Sequence, residues 1–283
     1  MCRFIAYLGQ DILLDDVLVK PSDSLIKQSL SAKESKVFTN GDGFGIGWYT
    51  PQISSEPGAF HSVFPAWNDR NLLHLTSKLM SPCFFGHVRA ASTGVVDNYN
   101  CHPFIHNNWM LMHNGEISHF LDIKRHLCDL LDDDLYHWIK GSTDSEHLFA
   151  LFLQLAKGRK CNSLIEVAEL LSLTFQTIDS LLEKYTRKNA SYYNICLTDG
   201  KRIVASRYCT NKNIQPESLH YLKGDYFWSK KDFLKNKDAT NKPCVIVSSE
   251  KLTDFTKAWQ TVPANHFLLV EEDYQIQIEP IYP

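Results

Sequence analysis

The chain opens with Met1-Cys2-Arg3-Phe4-Ile5-Ala6-Tyr7-Leu8, in which a cysteine leads into an apolar and aromatic run that predicts a buried first strand. If the initiator methionine is removed, Cys2 carries both a thiol and a free α-amine. Because an α-amine titrates near about pH 8, it is a suitable base for a thiol nucleophile. The alternative is that Cys2 is only a small buried residue at the start of a strand. The rest of the sequence has to decide between the two.

The composition predicts a single domain that spans residues 1–283. The 283 residues are 44% hydrophobic and 12% aromatic, which is enough to form a core without a disulfide or a metal. The formal charge of −3 provides no basic surface for a nucleic acid or an anionic membrane. We therefore expect no nucleic acid and no membrane among the partners, but a small molecule or another protein.

The cysteines predict a reducing compartment. The eight cysteines form neither a Cys-x-x-Cys pair nor the framework of a small secreted scaffold. The apolar run after Arg3 ends at Gly9, which is too short for a signal sequence, and no later run is long enough to span a bilayer. These features predict a cytoplasmic protein.

Strand patterns lie near the two ends of the chain, and helical patterns lie between them. Short aromatic or β-branched runs predict strands at 2–8, 44–49, 83–89, 109–113, 192–198, 202–207, 244–248, 267–270 and 274–278. Leucine spacing and cap signals predict helices at 25–31, 72–79, 117–131, 142–155 and 164–185. Lysine-rich 230–242 is predicted to be an exposed loop. This order favours sheets covered by helical layers, an α/β arrangement.

One motif is rich in glycine: Asn40-Gly41-Asp42-Gly43-Phe44-Gly45-Ile46-Gly47. Missing side chains allow another segment to approach the backbone closely. A dinucleotide fingerprint has a strand before its glycines and a helix after them, so no phosphate cradle is predicted here. The motif is either part of a functional site or a turn with tight sheet packing.

A second group of polar residues follows the predicted strand at 83–89. Arg89 stands at the strand end, where its guanidinium is suited to a bidentate carboxylate but also to a surface ion pair. Pro103 argues against one helical face carrying His102 and His106, so no metal site is predicted.

Two further motifs supply polar groups for amide chemistry. In His113-Asn114-Gly115 the Asn amide and the Gly N–H are suited to stabilise an oxyanion, although Asn-Gly is also a common tight turn. Asp144, in the helix cap Ser142-Thr143-Asp144-Ser145-Glu146, is suited to bind a substrate ammonium or to interact with the helix dipole. A carboxylate site and an ammonium site together define an α-amino acid, which points to glutamine or another γ-glutamyl compound.

These motifs resemble the class II glutamine amidotransferases, which have the amino-terminal nucleophile hydrolase fold. The resemblance covers nearly the whole chain. Its six motifs appear in family order: Met1-Cys2-Arg3-Phe4, Asn40-Gly41-Asp42-Gly43-Phe44-Gly45, Gly86-His87-Val88-Arg89-Ala90, Cys101-His102-Pro103-Phe104, His113-Asn114-Gly115 and Ser142-Thr143-Asp144-Ser145-Glu146.

The resemblance implies an α+β fold, a four-layer α/β/β/α sandwich of two antiparallel sheets. It also implies roles for individual residues and requires no cofactor and no metal. Cys2 is the nucleophile with its α-amine as base, and Asn114 and Gly115 form the oxyanion hole. The implied substrate-binding residues are Arg89 for the α-carboxylate and Asp144 for the α-amino group, together with His102 and His113.

Within the family, the chain resembles most the stand-alone amidotransferase-type subunit of the cytosolic glutathione-degrading complex, and next the γ-glutamyl hydrolase of ergothioneine biosynthesis. It departs from the multidomain synthases, which fuse a second catalytic domain to this one, and from the fungal glutathione-degrading subunit, which continues past the position of Pro283. We therefore expect no synthase activity in this chain. Possible partners implied by the resemblance are a metallopeptidase subunit and a synthase subunit.

The predicted function is hydrolysis of a γ-glutamyl amide bond through a Cys2 thioester, with glutamine, glutathione or a related compound as substrate. Three alternatives stay open. The first is a glutaminase that supplies ammonia to a synthase, the second is an amidase for other acyl amides, and the third is a non-catalytic regulatory subunit of a peptidase complex.

Overall fold

The computed structural model describes residues 2–35, 37–91, 94–187, 189–224, 226–228, 233–235, 243–254 and 256–282. The strands in these residues are β1 (Arg3–Leu13), β2 (Phe44–Thr50), β3 (Ser54–Ser62), β4 (Met80–Val88), β5 (Phe104–His106), β6 (Trp109–Glu116), β7 (Tyr192–Thr198), β8 (Ile203–Arg207), β9 (His220–Gly224), β10 (Tyr226–Trp228), β11 (Phe233–Lys235), β12 (Cys244–Ser248), β13 (Gln260–Thr261), β14 (His266–Val270) and β15 (Ile276–Pro280). The α-helices are α1 (Asp15–Leu18), α2 (Leu25–Leu30), α3 (Arg70–Thr76), α4 (Phe120–Cys128), α5 (Asp133–Trp138), α6 (Asp144–Ala156) and α7 (Leu164–Tyr185).

The strands form two large antiparallel sheets. The first has the order β13-β9-β12-β1-β4-β2-β3, and the second has the order β15-β14-β8-β7-β6-β5. Strands β10 and β11 pair only with each other among the described residues. The strand that begins after Cys2 is therefore central in the first sheet, and the strand that carries Asn114 is next to the edge of the second.

Three apolar clusters join the layers. Alternate residues of β1, β4, β6 and β7 meet between the sheets, and the members that concern the site are Phe4, Ala6, Met110, Met112 and Cys196. The other face of the second sheet packs on α4, α6 and α7, and the other face of the first sheet packs on α1, α2 and α3. The predicted four-layer α/β/β/α sandwich is confirmed, with its helices covering both outer faces.

The longest regular patterns were predicted correctly. Helix α7 and strands β7 and β12 have the predicted bounds. A capping box at Ser163 and Glu166 begins α7, and its buried residues recur at helical spacing along one face.

Other element bounds were wrong. The helix predicted at 117–131 begins only at Phe120, because His119 adopts a left-handed conformation with φ of 51°. Tyr274, predicted to begin a strand, has φ of 63°, and the strand begins at Ile276. The edge strand β3 was missed because its exposed Ser, Glu, Pro and Gly residues lack an apolar alternation. Of the predicted loop 230–242, Phe233–Lys235 is a strand and the rest lies outside the described residues.

Among the described residues, no helix combines the length and the apolar character needed to cross a bilayer.

Candidate active site

Strands β2 and β6 belong to different sheets and face each other across the space between them, which places the glycine-rich motif and Asn114 at the same end of that space. The Tyr49 hydroxyl donates to the Asn108 carbonyl at 2.7 Å, and Gly47 lies against Met110. Inward-facing residues recur at every second position along a strand. Counting four residues back from Gly47 and four residues forward from Met110 brings residue 43 level with Asn114.

Cys2 lies at this end because β1 pairs with β4. Arg3 is opposite Val88 in the register, so continuing the register places Cys2 opposite Arg89 and within reach of Ala90. The Ala90 N–H donates to the Cys2 sulfur at 3.4 Å, and the thiol donates to the Ala90 carbonyl at 3.5 Å. Burial raises the pKa of the Cys2 thiol above its usual value. At neutral pH the group is therefore a thiol, which needs a base before it can attack a carbonyl carbon.

Asn114 and Gly115 lie inside β6, whereas the predicted strand ended at residue 113. They are opposite Asn194 and Tyr193 of β7, which extends the strand to Glu116 and excludes the tight-turn alternative. Asn114 is fully buried, and neither atom of its side-chain amide has a hydrogen-bond partner in the described part of the chain. A buried amide without partners is costly unless something binds to it.

The Gly115 N–H is directed away from β7. Tyr193, its register partner, uses its own N–H to donate to the Tyr208 carbonyl on the far side of β7. In an antiparallel ladder this makes the Gly115–Tyr193 pair a non-hydrogen-bonded one, so the Gly115 N–H points outward. A Cβ added at Gly115 would overlap the Tyr192 carbonyl oxygen. Glycine is therefore required where this donor is presented.

His102 forms a neutral wall of the same region. Its ring lies 4.2 Å from the ring of His87, centroid to centroid, and both side chains are buried. Burial lowers the pKa of His87 to about 3 and holds the pKa of His102 well below its usual value. A Cβ added at Gly45 would overlap the His102 carbonyl oxygen, so the glycine-rich motif allows the His102 backbone to pack against β2.

His113, predicted to contact the substrate, faces the helical layer and not the space between the sheets. Its Nε2 lies 2.8 Å from the Tyr192 carbonyl, which only accepts, so Nε2 carries the proton. Its Nδ1 lies 2.9 Å from the Ser145 hydroxyl. Both ring nitrogens are therefore occupied, and burial lowers the pKa of the ring. We assign His113 to the support of β6 against α6.

Arg89 is held at the end of β4 by backbone and side-chain contacts. Its N–H donates to the Gly43 carbonyl at 2.8 Å, and its carbonyl accepts from Asp42 N–H at 3.0 Å. Its Nη1 donates to the Val95 carbonyl at 3.1 Å, and the side chain is buried. The Asn100 amide donates to the same carbonyl at 2.8 Å. The guanidinium is thus fixed beside the loop that follows β4.

Asp144 is the first residue of α6 and is buried. Its Oδ2 accepts from Ile117 N–H and its Oδ1 from Ser145 N–H, both at 2.8 Å. The carboxylate therefore connects the segment after β6 to the start of α6. It also lies in the first turn of α6, where a negative charge interacts favourably with the helix dipole, as one of the two predicted roles requires. A carboxylate oxygen accepts more than one hydrogen bond, so the Asp144 carboxylate keeps acceptor capacity for an ammonium.

Sequence reasoning missed two buried polar residues, one beside Cys2 and one beside Asn114. Arg3 is fully buried, with Nη2 3.4 Å from Glu217 and Nη1 3.6 Å from Glu250. Asn194 is fully buried next to Asn114. The signals were an arginine and an asparagine within otherwise apolar strands, where a polar side chain needs a buried partner.

His102 and His106, the two histidines considered as a metal pair, have separate ring contacts. His106 packs its ring on Trp138, whereas His102 packs on His87. No cluster of three or more ligand-type side chains suited to a metal occurs among the described residues.

Known proteins are similar to this chain in fold and in sequence. A class II glutamine aminotransferase domain protein from Silicibacter pomeroyi has a solved structure that matches with a TM-score of 0.68 at 23% identity, over 100% of both chains. A predicted glutamine amidotransferase from Pseudomonas aeruginosa matches with a TM-score of 0.53 at 17% identity, over 98% of this chain and 95% of that one. At these identities the likeness shows the fold alone, that of class II amidotransferase domains.

Sequence relatives go further. The model of the family "Glutamine amidotransferases class-II" matches residues 20–278, a range that does not include Cys2. The Saccharomyces cerevisiae protein named "Probable glutamine amidotransferase DUG3" is 35% identical over 302 residues, 99% of this chain and 84% of that protein. The γ-glutamyl-hercynylcysteine sulfoxide hydrolase of Mycolicibacterium smegmatis is 31% identical over 120 residues, 42% of this chain and 52% of that protein.

The chain belongs to the class II glutamine amidotransferase family. It is an amidohydrolase, and γ-glutamyl amide hydrolysis is the general activity that the family and the relatives support.

Proposed function

We propose that this chain hydrolyses γ-glutamyl amide bonds with Cys2 as its mature amino terminus. The observation that carries the proposal is the thiol of Cys2 beside Ala90, at the same end of the inter-sheet space as Asn114. The Asn114 amide has no partner among the described residues and is buried, so it is ready to bind an oxyanion.

In the proposed reaction the Cys2 sulfur adds to the δ-carbonyl carbon, and the α-amine of Cys2 takes the thiol proton. The Asn114 amide and the Gly115 N–H donate to the oxygen as it becomes negative. The carbon–nitrogen bond then breaks, and the α-amine passes the proton to the leaving nitrogen. Water attacks the resulting thioester, which releases glutamate and regenerates the thiol. Removal of Met1 is a requirement, since only then does Cys2 own an α-amine.

The amino acid end of the substrate is assigned to Arg89 and Asp144. Arg89 is buried and anchored at Val95, so its guanidinium is oriented before the substrate arrives. An oriented guanidinium suits the bidentate geometry of an α-carboxylate. We assign the Asp144 carboxylate to the α-ammonium. His102, which burial keeps neutral, forms a wall of the pocket.

The leaving group is proposed to be an amine larger than ammonia. The mycobacterial relative is named for a γ-glutamyl bond in a sulfur-containing compound, and glutathione has the same bond. In that case no ammonia has to reach a synthase. The partner, if one is needed, is then a peptidase subunit that acts on the released amine. A reducing cytoplasm is the proposed location, consistent with eight free cysteines.

The test is a substrate panel with purified protein whose loss of Met1 has been verified by intact mass. Glutamine, glutathione and several γ-glutamyl amides are incubated with the protein and with Cys2→Ala, and released glutamate and amine are measured. We expect Cys2-dependent turnover with glutathione or another bulky γ-glutamyl amide as the preferred substrate.

Other outcomes point to the alternatives. Turnover of glutamine alone, or only with an added synthase, would make the protein an ammonia supplier. Turnover of acyl amides without a free α-carboxylate would make it a general amidase. A fully processed protein with no Cys2-dependent turnover of any substrate would refute the catalytic proposal and leave a regulatory subunit.

A further inference from the structure

The strand of the nucleophile is held differently on its two sides. On the β4 side the antiparallel register extends to Arg3, which directly follows Cys2. On the β12 side the register ends at Ile5. Beyond it, the Phe4 carbonyl accepts from Ser249 N–H at 3.0 Å, and Phe4 N–H donates to the Ser249 hydroxyl at 3.1 Å. On this side the last residues before the thiol therefore depend on side-chain contacts.

The Arg3 side chain provides such contacts. It is fully buried, with Nη2 3.4 Å from the Glu217 carboxylate and Nη1 3.6 Å from the Glu250 carboxylate. Ile5, two residues along, packs in the outer apolar cluster against α1, α2 and α3. Because side chains alternate along a strand, Arg3 projects to that outer face and Cys2 to the space between the sheets. The guanidinium therefore acts on Cys2 through the strand and not by contact with substrate.

Both carboxylates that bind the guanidinium belong to anchored segments. The Glu250 Oε2 accepts from Lys33 N–H at 2.9 Å, and its Oε1 accepts from Glu34 N–H at 3.0 Å. The Glu217 carbonyl accepts from Nε of Arg207 at 2.9 Å. The guanidinium thus joins the start of β1 to parts of the chain that are distant in the sequence.

Stability alone does not account for the buried charge of Arg3. Both ion-pair distances exceed the roughly 2.8 Å of a good charge-assisted hydrogen bond. Its Nε and Nη1 have no hydrogen-bond partner among the described residues. An apolar side chain of similar volume is often at least as stable as such a buried pair. A buried charge does specify position, because a shift of β1 by one residue would turn the guanidinium into the apolar space between the sheets.

We propose that Arg3 is a positioning residue for the nucleophile, whose ion pairs fix the end of β1 so that the Cys2 sulfur stays beside Ala90. The Ala90 N–H and carbonyl bind the sulfur at 3.4 and 3.5 Å. A misplacement of a reacting group by about 1 Å lowers a rate by roughly 100-fold. The proposal rests on the proposed function for the role of Cys2 in turnover, but not for the position of its thiol.

The test removes the guanidinium together with one of its carboxylates. In Arg3→Met/Glu217→Gln the remaining carboxylate, Glu250, keeps its two backbone donors. We expect kcat for a γ-glutamyl amide to fall by roughly 10- to 100-fold with KM little changed, since Arg89 and Asp144 bind the substrate from other elements. Arg3→Lys keeps the charge and should retain kcat within about tenfold of wild type.

A matched control lies at the opposite end of the sandwich. Arg202 forms an ion pair with Asp199 at 2.8 Å, and both side chains are largely buried. The turn between them contains Gly200, which packs on Tyr49. Arg202→Met/Asp199→Asn removes a charge pair of the same kind without touching β1, so kcat should be unchanged. Intact mass verifies loss of the initiator methionine in every variant, and denaturant unfolding verifies that each variant is folded.

Thiol reactivity provides a readout that does not need turnover. Iodoacetamide modification is followed for each cysteine separately by mass spectrometry. Burial raises the pKa of the Cys2 thiol, so a loosened strand end should return this pKa toward its usual value and speed Cys2 alkylation by roughly tenfold at pH 7. Buried Cys83 and Cys196 should stay unmodified. Turnover should thus fall while the nucleophile becomes more reactive toward the reagent.

Three results would overturn the proposal: an unchanged kcat in Arg3→Met/Glu217→Gln, an equal loss in the Arg202 control, or parallel alkylation of the two buried cysteines. If wild type has no Cys2-dependent turnover, the proposed function fails. The alkylation rates alone then decide whether Arg3 positions the thiol, and a Cys2 rate equal to that of wild type would refute it.

Discussion

The two ends of the space between the sheets differ in how their buried polar groups are bonded. At one end the Tyr49 hydroxyl donates to the Asn108 carbonyl at 2.7 Å, and the Ser81 hydroxyl donates to the Tyr49 carbonyl at 2.8 Å. At the Cys2 end, the amide atoms of Asn114 and the Oδ1 of Asn194 have no partners among the described residues. An unsatisfied buried polar group costs about 1–3 kcal/mol. At the Tyr49 end the buried polar groups are hydrogen-bonded to one another and have a structural role. At the Cys2 end the buried polar groups without partners mark the candidate site.

Removal of the Cys2 thiol is expected to have the largest effect, and it tests whether the Cys2 end carries the chemistry. Cys2→Ala should lower kcat by roughly 10⁴- to 10⁶-fold, the range found when a covalent mechanism loses an essential group. The free energy of unfolding should change by less than about 1 kcal/mol, because Cys2 is only half-buried. Glutamate release and denaturant unfolding measure the two quantities. Turnover within tenfold of wild type would show that the Cys2 end is not where the chemistry occurs.

Arg89→Lys sharpens the assignment of the substrate end. Lysine keeps the charge but loses the bidentate geometry, so KM for a γ-glutamyl amide should rise by roughly 10- to 100-fold with a smaller change in kcat. The matched measurement uses the same substrate with its α-carboxylate converted to an amide. An equal loss on both substrates would show that Arg89 does not bind the α-carboxylate.

The Tyr49 end should respond in stability and not in turnover. Tyr49→Phe leaves the Asn108 carbonyl without its buried donor and should lower the free energy of unfolding by about 1–3 kcal/mol. Its kcat should equal that of wild type. Tyr136→Phe, at an exposed tyrosine, is the control for loss of a hydroxyl. A fall in kcat with unchanged stability would contradict the division between the two ends.

The smallest effect concerns pH. Burial lowers the pKa of His87 to about 3 from its usual 6.5, so between these values the unfolded chain binds the proton that the folded chain rejects. Stability from this group is complete above pH 6.5 and falls as pH drops, by about 2 kcal/mol between pH 6.5 and 5. His87→Gln should reduce the slope of the free energy of unfolding against pH by the equivalent of up to one bound proton in this interval. His137→Gln, at an exposed histidine, should leave that slope unchanged. A parallel curve for His87→Gln would show that His87 titrates normally.

Much of the fold was predictable because its signals are local. The leucine spacing and the Ser163 cap predict α7, and the apolar runs at β7 and β12 predict those strands with their correct bounds. The edge strand β3 was not predictable, since it is stabilised by pairing with β2 and lacks an apolar pattern of its own.

The candidate site was only partly predictable for the same reason. Cys2, Arg89, Asn114 and Asp144 stand out as chemically capable residue types in motifs. The face on which a side chain projects depends on register, which is why His113 was predicted to touch substrate although it faces α6. Asn194 belongs to no motif, and its interest comes entirely from being opposite Asn114.

By itself, then, the sequence determined which groups are available for chemistry and which segments are helical or extended, because residue type, capping and periodicity act over a few neighbouring positions. The tertiary structure alone decided that Cys2 and Asn114 share one end of the inter-sheet space, and that the polar atoms there lack partners while those around Tyr49 have them. Those properties arise from strand register and from the packing of two sheets, which join residues more than a hundred positions apart in the chain.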